Sequence, residues 1–303
     1  MSAPGERSKA QPQHSPTLPP SPTPGIDTIT ANLLNQVYRL QDFMPLEGSD
    51  SFIVPTKTEQ STFSEIVSRI ESGDLIYASD LAKRNNYDLV RYLDLGDDQA
   101  ASYLLREKVP ISKGWGLYMI RADVVNNIIV EAPHPIADKN TDLIALNIYR
   151  ALNARALLIA GAHRSTDPAG LADVTHAPES IFQSVHETVL KNPVSFPDIP
   201  VVLQIHGFAA RKHPGYPNIV LGFGQKASQA EISLSRELVD VLTALGIDTG
   251  TCEGDSWQDL CGTKNVQGSN KNNAIFIHIE LDETVRSNER NLVSALSQVL
   301  AKR

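Results

Sequence analysis

Apolar and polar positions change period along the chain. Phe63, Ile66, Val67 and Ile70 recur at helical spacing in TFSEIVSRIESG, which predicts a helix capped at Thr62 and stopped at Gly73. Leu89, Val90, Tyr92 and Leu93, in YDLVRYLDLGDDQAASYLLREK, read as more helix before a Gly-Asp-Asp break and another short helix. Leu117 to Ile120 and Ile128 to Glu131 flank polar turn residues and predict a hairpin. From there strands and helices alternate. Thr141 is the expected cap of a helix with Leu143, Leu146, Tyr149 and Leu152 on one side. Ala156 to Ala160 is a continuous apolar run of the parallel-strand type. Then follow a helix from Glu179 to Lys191 ending at Asn192-Pro193, a strand from Val201 to Ile205, and a helix from Gln229 to Leu245 stopped by Gly246. A last strand from Ala274 to Leu281 and a closing helix from Ser287 to Lys302 complete the pattern.

This alternation predicts a three-layer α/β/α sandwich with a mixed, largely parallel sheet. Three regions are expected: a disordered Pro-rich tail over 1–25, a mostly helical N-terminal extension over 26–113, and an α/β domain over 114–303. With 303 residues, 41% of them hydrophobic, the chain can bury a sizeable core.

Charge and composition narrow the partners. A net charge of -8, spread through the sequence, argues against nucleic acid, which needs a concentrated basic face. No apolar run approaches the roughly 20 residues that span a bilayer. The tail lacks the apolar core of a signal peptide, and both an exported and a cytoplasmic location stay open. Cys252 and Cys261, in GTCEGDSWQDLCGTKNVQG, are either a small disulfide-closed loop or two free thiols.

In such a sheet, groups available for chemistry lie just past the carboxyl ends of the strands. Four apolar strands deliver polar groups there. The first is followed by His134 and Asp138, the second by His163 and Arg164, the third ends in Gln204-Ile205-His206-Gly207, and the last in His278-Ile279-Glu280. Metal-assisted hydrolysis of an amide needs this set. A catalytic zinc takes three nitrogen or oxygen ligands from the protein and leaves a fourth position to water. His134, Asp138 and His206 are the candidate ligands, and Glu280 is the candidate general acid/base for the bound water. Arg164 is the candidate for polarising the substrate carbonyl or holding a substrate carboxylate. Arg211, in FAARKHPGYP, and Asn265, in the glycine-flanked GTKNVQG loop, are the candidate substrate-binding positions. The expected substrate is a small molecule or peptide, anionic in character. Each residue also has a plainer reading: Asp138 as a turn residue, Glu280 as the ion-pair partner of Arg286, His176 and His186 as structural histidines.

The run His134-Pro-Ile-Ala-Asp138-Lys-Asn-Thr141, with Gln204-Ile-His206-Gly207 and Ile277-His-Ile-Glu280-Leu281, resembles the zinc-peptidase-like superfamily. That group contains metallocarboxypeptidases, poly-γ-glutamate hydrolases and N-formylglutamate amidohydrolases. The resemblance covers about Gly116 to Arg303, and it implies Zn2+ on His134, Asp138 and His206 with Glu280 as the catalytic glutamate. Metallocarboxypeptidases use His-x-x-Glu, whereas three residues separate His134 from Asp138 here, so Asp142 stands as a second candidate for the acidic ligand. No equivalent of the paired arginine and tyrosine that hold a peptide's terminal carboxylate is evident, which favours an amidohydrolase of acidic or acylated substrates. The competing expectation is a binding or scaffold domain that keeps the fold without the chemistry. A serine esterase lacks its G-x-S-x-G elbow.

Overall fold

The computed structural model describes residues 25–98, 100–124, 126–191, 199–254 and 256–300. The expected Pro-rich tail up to residue 24 and the helix end at Asn192-Pro193 lie outside them. In chain order the elements are β1 (Thr28–Ala31), α1 (Leu33–Gln41), α2 (Lys57–Ser72), α3 (Leu75–Arg84), β2 (Tyr87–Asp94), β3 (Ala100–Glu107), β4 (Leu117–Arg121), β5 (Ile128–Ala132), α4 (Thr141–Ala151) and β6 (Ala156–Ile159). They continue with α5 (Ile181–Lys191), β7 (Val201–Gly207), β8 (Ile219–Gly222), α6 (Gln229–Ala244), β9 (Thr249–Thr251), α7 (Val266–Ser269), β10 (Ile275–Leu281), α8 (Glu283–Ser287) and α9 (Arg290–Leu300). All ten strands form one sheet in the order β1-β2-β3-β4-β6-β5-β7-β10-β8-β9. Its central run, β6-β5-β7-β10, is parallel, so these four strands bring their carboxyl ends to one edge.

Alternation along each strand divides two apolar layers. Val130, Leu203, Ile205, Ile277 and Ile279 face one side with α4, α6 and α9, while Ile129, Val202, Leu158 and Phe276 face the other with α2, α3 and α5. The second face changes character along its length. Ile129 is followed on that face by Glu131, Val202 by Gln204 and His206, and Phe276 by His278 and Glu280. An apolar floor thus becomes polar toward the carboxyl edge.

Several local expectations are corrected. Tyr87–Asp94 and Ala100–Glu107 form the antiparallel pair β2–β3, with Tyr87 opposite Glu107 and Asp94 opposite Ala100, where helices were expected. Both faces of β2 are buried, so its apolar run loses the alternation that marks a strand. The region 26–113 therefore supplies three helices and also three strands of the common sheet. β4 and β5 are not a hairpin: β6 lies between them, antiparallel to β4 and parallel to β5. α2 begins one turn earlier than its apolar stripe, capped by Thr56 in a reciprocal box with Glu59, and ends as expected on Gly73 in the left-handed conformation. The cap residue of α4 is Asn140; Thr141 instead bonds back to the Asp138 carbonyl at 2.8 Å. No helix among the described residues is long and apolar enough to cross a membrane.

Candidate metal centre

The loop from β5 to α4 is wound on its own backbone. The Asp138 amide donates to the His134 carbonyl at 2.9 Å, and the Thr141 amide to the Asp138 carbonyl at 3.1 Å. This winding turns the His134 and Asp138 side chains toward the end of β7, where the Gly207 amide donates to Asp138 Oδ2 at 3.2 Å. The same oxygen lies 3.2 Å from His134 Nδ1 and 3.5 Å from His206 Nδ1. One carboxylate oxygen and two imidazole nitrogens therefore converge on one small volume, and their donor atoms lie within 4.8 Å of one another. All three residues are buried.

The opposite nitrogen of each ring is occupied by a protein oxygen. His134 Nε2 lies 2.9 Å from Asp173 Oδ1, and His206 Nε2 lies 2.8 Å from Gln204 Oε1. An acceptor behind each ring favours a proton on Nε2 and a lone pair on Nδ1 toward Asp138, an arrangement common to metal-ligating histidines. Two bare nitrogens before an anionic oxygen repel one another unless a cation or a proton stands between them. The donor set, two imidazoles and one carboxylate, suits zinc.

Electrostatics follow from these contacts. Burial alone would raise Asp138, but the His134 and His206 rings outweigh it and hold the carboxyl far below its usual range. Burial also works to raise Asp173, and His134, Thr175 and Arg164 reverse it in the same way. Burial lowers His134, yet bonds to Asp138 and Asp173 raise it overall, whereas burial and the neighbouring His278 drive His206 well below the usual imidazole value.

Glu280 is directly opposite His206 across the parallel β7–β10 ladder, and His278 is opposite Gln204. The His206 and His278 rings are 4.2 Å apart between centroids, and His278 Nε2 is 3.2 Å from Glu280 Oε1. Glu280 Oε2 and His278 Nδ1 are buried without a hydrogen-bond partner. His206, His278 and Glu280 thus form a second cluster of possible ligands sharing His206 with the first. A methyl group on Gly262 would lie 2.8 Å from His278 Nδ1, so backbone just past the Cys252–Cys261 disulfide closes over this ring.

The remaining candidates separate clearly. Asp142 is buried in the first turn of α4 against Gln41, away from both histidines, and its carboxyl is pushed up to about 6 by burial. Arg164 reaches the cluster: Nη2 donates to Asp173 Oδ2 at 2.6 Å, and Nη1 is 3.4 Å from His134 Nδ1. Neighbouring His163 turns away and accepts from the Ser165 amide. Arg211 is exposed on the 3-10 turn Ala210–Lys212 that follows β7. Asn265 is buried as the cap of α7, accepting from Gly268 and donating to Gln204 Oε1. Arg286 donates to the carbonyls of Leu281, Lys139 and Phe208, stitching together the three segments that carry the cluster. Asp173, Thr175 and Gln204 had no assigned part. Asp173 lies in TDPAGLADVTHAPES, a stretch without periodicity, and only its acidic side chain shortly before Thr175 and His176 could have signalled it.

No protein-family model matches the chain, and no curated protein matches it either. Among solved structures it is similar to a gene product from Agrobacterium tumefaciens at 12% identity and a TM-score of 0.44, over 59% of this chain and 90% of that one. It is similar to N-formylglutamate amidohydrolase from Ralstonia eutropha at 13% identity and 0.41, over 61% and 95%. A third similar structure is a metallo-carboxypeptidase from Burkholderia cenocepacia, at 8% identity and 0.41, over 83% and 70%.

Proposed function

We propose that the chain is a zinc-dependent hydrolase of an amide or peptide bond, with His134, Asp138 and His206 holding the metal and Glu280 moving the proton. The observation that carries this reading is the meeting of two Nδ1 atoms on Asp138 Oδ2, each ring backed by an oxygen at Nε2. When bound, zinc supplies a Lewis acid that polarises a carbonyl and lowers the pKa of water.

The protein's own groups divide the remaining work. Glu280 takes a proton from the attacking water and returns it to the leaving amine; its buried, unpartnered Oε2 supports that role. The neighbouring His278 holds the other oxygen, Oε1, and so fixes the rotamer of the carboxylate. Asp173 orients His134 and at the same time ties down Arg164, whose guanidinium, with Nη1 3.4 Å from His134 Nδ1, brings positive charge to the cluster where negative charge on the substrate would lie. Exposed Arg211 adds positive charge beyond the end of β7, in keeping with an anionic substrate. Asn265 acts behind the cluster, through Gln204, and does not meet the substrate itself.

The reading is tested by assaying purified protein against acyl-glutamates and short α- and γ-linked peptides, with and without chelator. Hydrolysis that stops with chelator and returns with zinc is expected. Turnover that continues after chelation and loss of the metal would overturn it.

A further inference from the structure

Beneath the cluster lies a buried set of amide side chains whose orientations are fixed from outside. The Gly268 amide, which can only donate, points at Asn265 Oδ1 at 3.0 Å, so Asn265 must turn its Nδ2 hydrogens toward Gln204. The Val174 carbonyl, which can only accept, lies 3.0 Å from Gln267 Nε2, so Gln267 turns its Oε1 toward Gln204 at 3.3 Å. Gln204 sits between these two neighbours and has one way to satisfy both. Its Oε1 faces Asn265 and His206, and its Nε2 faces Gln267 and Glu131 Oε2 at 2.8 Å. Glu131 is itself held by His186 Nδ1 at 2.6 Å. A flipped amide would set like against like at Asn265, Gln267 and Glu131, and unpaired polar groups are costly in so buried a site.

We infer that Gln204 is a positioning residue that locks His206 in the tautomer protonated on Nε2, leaving Nδ1 bare toward Asp138. Two backbone groups, on the loop before α5 and on α7, thereby dictate which nitrogen of a ring on β7 can take a metal. The competing tautomer is close at hand: with no acceptor behind the ring, a proton on Nδ1 could bond Asp138 Oδ2 at 3.5 Å. That form would block the nitrogen that the proposed zinc site needs. The purpose of the lock rests on the metal-site reading, whereas the tautomer itself is a property of the metal-free protein.

The test is two-bond proton–nitrogen correlation NMR on metal-free protein labelled in its histidine rings, with His206 identified by its loss in His206→Gln. In the wild type, the His206 signals are expected to be those of the Nε2–H tautomer. Gln204→Met, which keeps volume and removes the acceptor, is expected to move the population toward Nδ1–H. It should also weaken zinc binding by about 10–100-fold, the usual effect of removing an orienting partner, with an unchanged circular dichroism spectrum. A wild-type Nδ1–H signal overturns the inference whether or not the variant folds. A folded Gln204→Met protein with the wild-type tautomer and zinc affinity overturns it as well. A wild type that shows Nε2–H yet binds no zinc upholds the tautomer lock and overturns the metal-site reading alone.

Discussion

His206 and Glu280 face each other across the β7–β10 ladder as register partners, one ring turned toward Asp138 and one carboxylate with an unpartnered oxygen. Neighbouring strands stand about 4.8 Å apart, so the proposed ligand and the proposed proton carrier are held at a distance set by backbone hydrogen bonds and not by flexible loops.

Glu280→Gln separates the two roles. The amide is nearly isosteric but cannot take up a proton. Turnover is expected to fall by about 10²–10⁴-fold, the range for a lost general acid/base, while zinc content stays at the wild-type level. Parallel metal analysis and initial-rate assays check this; an active variant would remove Glu280 from its role.

Asp138 and Asp142 are distinguished by metal content. Asp138→Asn weakens the ligand facing two imidazoles and is expected to lose zinc, whereas Asp142→Asn, whose side chain meets Gln41, is expected to retain it. The opposite result would exchange the two residues in the account.

Asp142 also makes a stability prediction. Its folded pKa, about 6, lies above the ordinary 3.8, so the folded state binds the extra proton. The stability gained by holding that proton is fully present below about pH 4 and is lost as pH rises through about 6. The loss at neutral pH is on the order of 3 kcal/mol at most. Asp142→Asn is therefore expected to be more stable than wild type at pH 7 and nearly equal to it at pH 4. Urea unfolding of both proteins at the two pH values checks the sign; an equal difference at both would contradict it.

Gly262→Ala probes the roof over His278. Gly262 has φ +63°, and the added methyl would meet His278 Nδ1 at 2.8 Å. The left-handed backbone alone costs roughly 1–2 kcal/mol for an L-residue. A lower denaturation midpoint and slower turnover are expected, the second because His278 steadies Glu280. Unchanged values of both would show that the loop does not restrain the ring.

The parts of the fold legible in the sequence were those with a clean period. The buried runs of β6, β7 and β10 and the stripes of α4 and α6 announce the central parallel layers and hence the edge where His134, His206 and Glu280 gather. The β2–β3 pair was hidden because Leu89, Val90, Tyr92 and Leu93 are buried on both faces, leaving neither a strand nor a helix period. Short β8 and β9 carry too few residues to set a pattern. Within the cluster, residues on strand ends were visible and those on irregular loops were not. Asp173 lies 39 positions from the ring it orients, in a stretch whose lack of periodicity gives no sign of the contact. The choice of Asp138 over Asp142 likewise depends on the winding of one loop about the His134 and Asp138 carbonyls, which spacing alone does not decide.

The central claim, that two imidazoles and one carboxylate hold a metal, is tested most directly by elemental analysis of purified wild type, His134→Ala and His206→Ala. The account predicts about one zinc per chain in the wild type and almost none in either folded variant. A wild type without metal after zinc loading, or full zinc content in both variants, would contradict it.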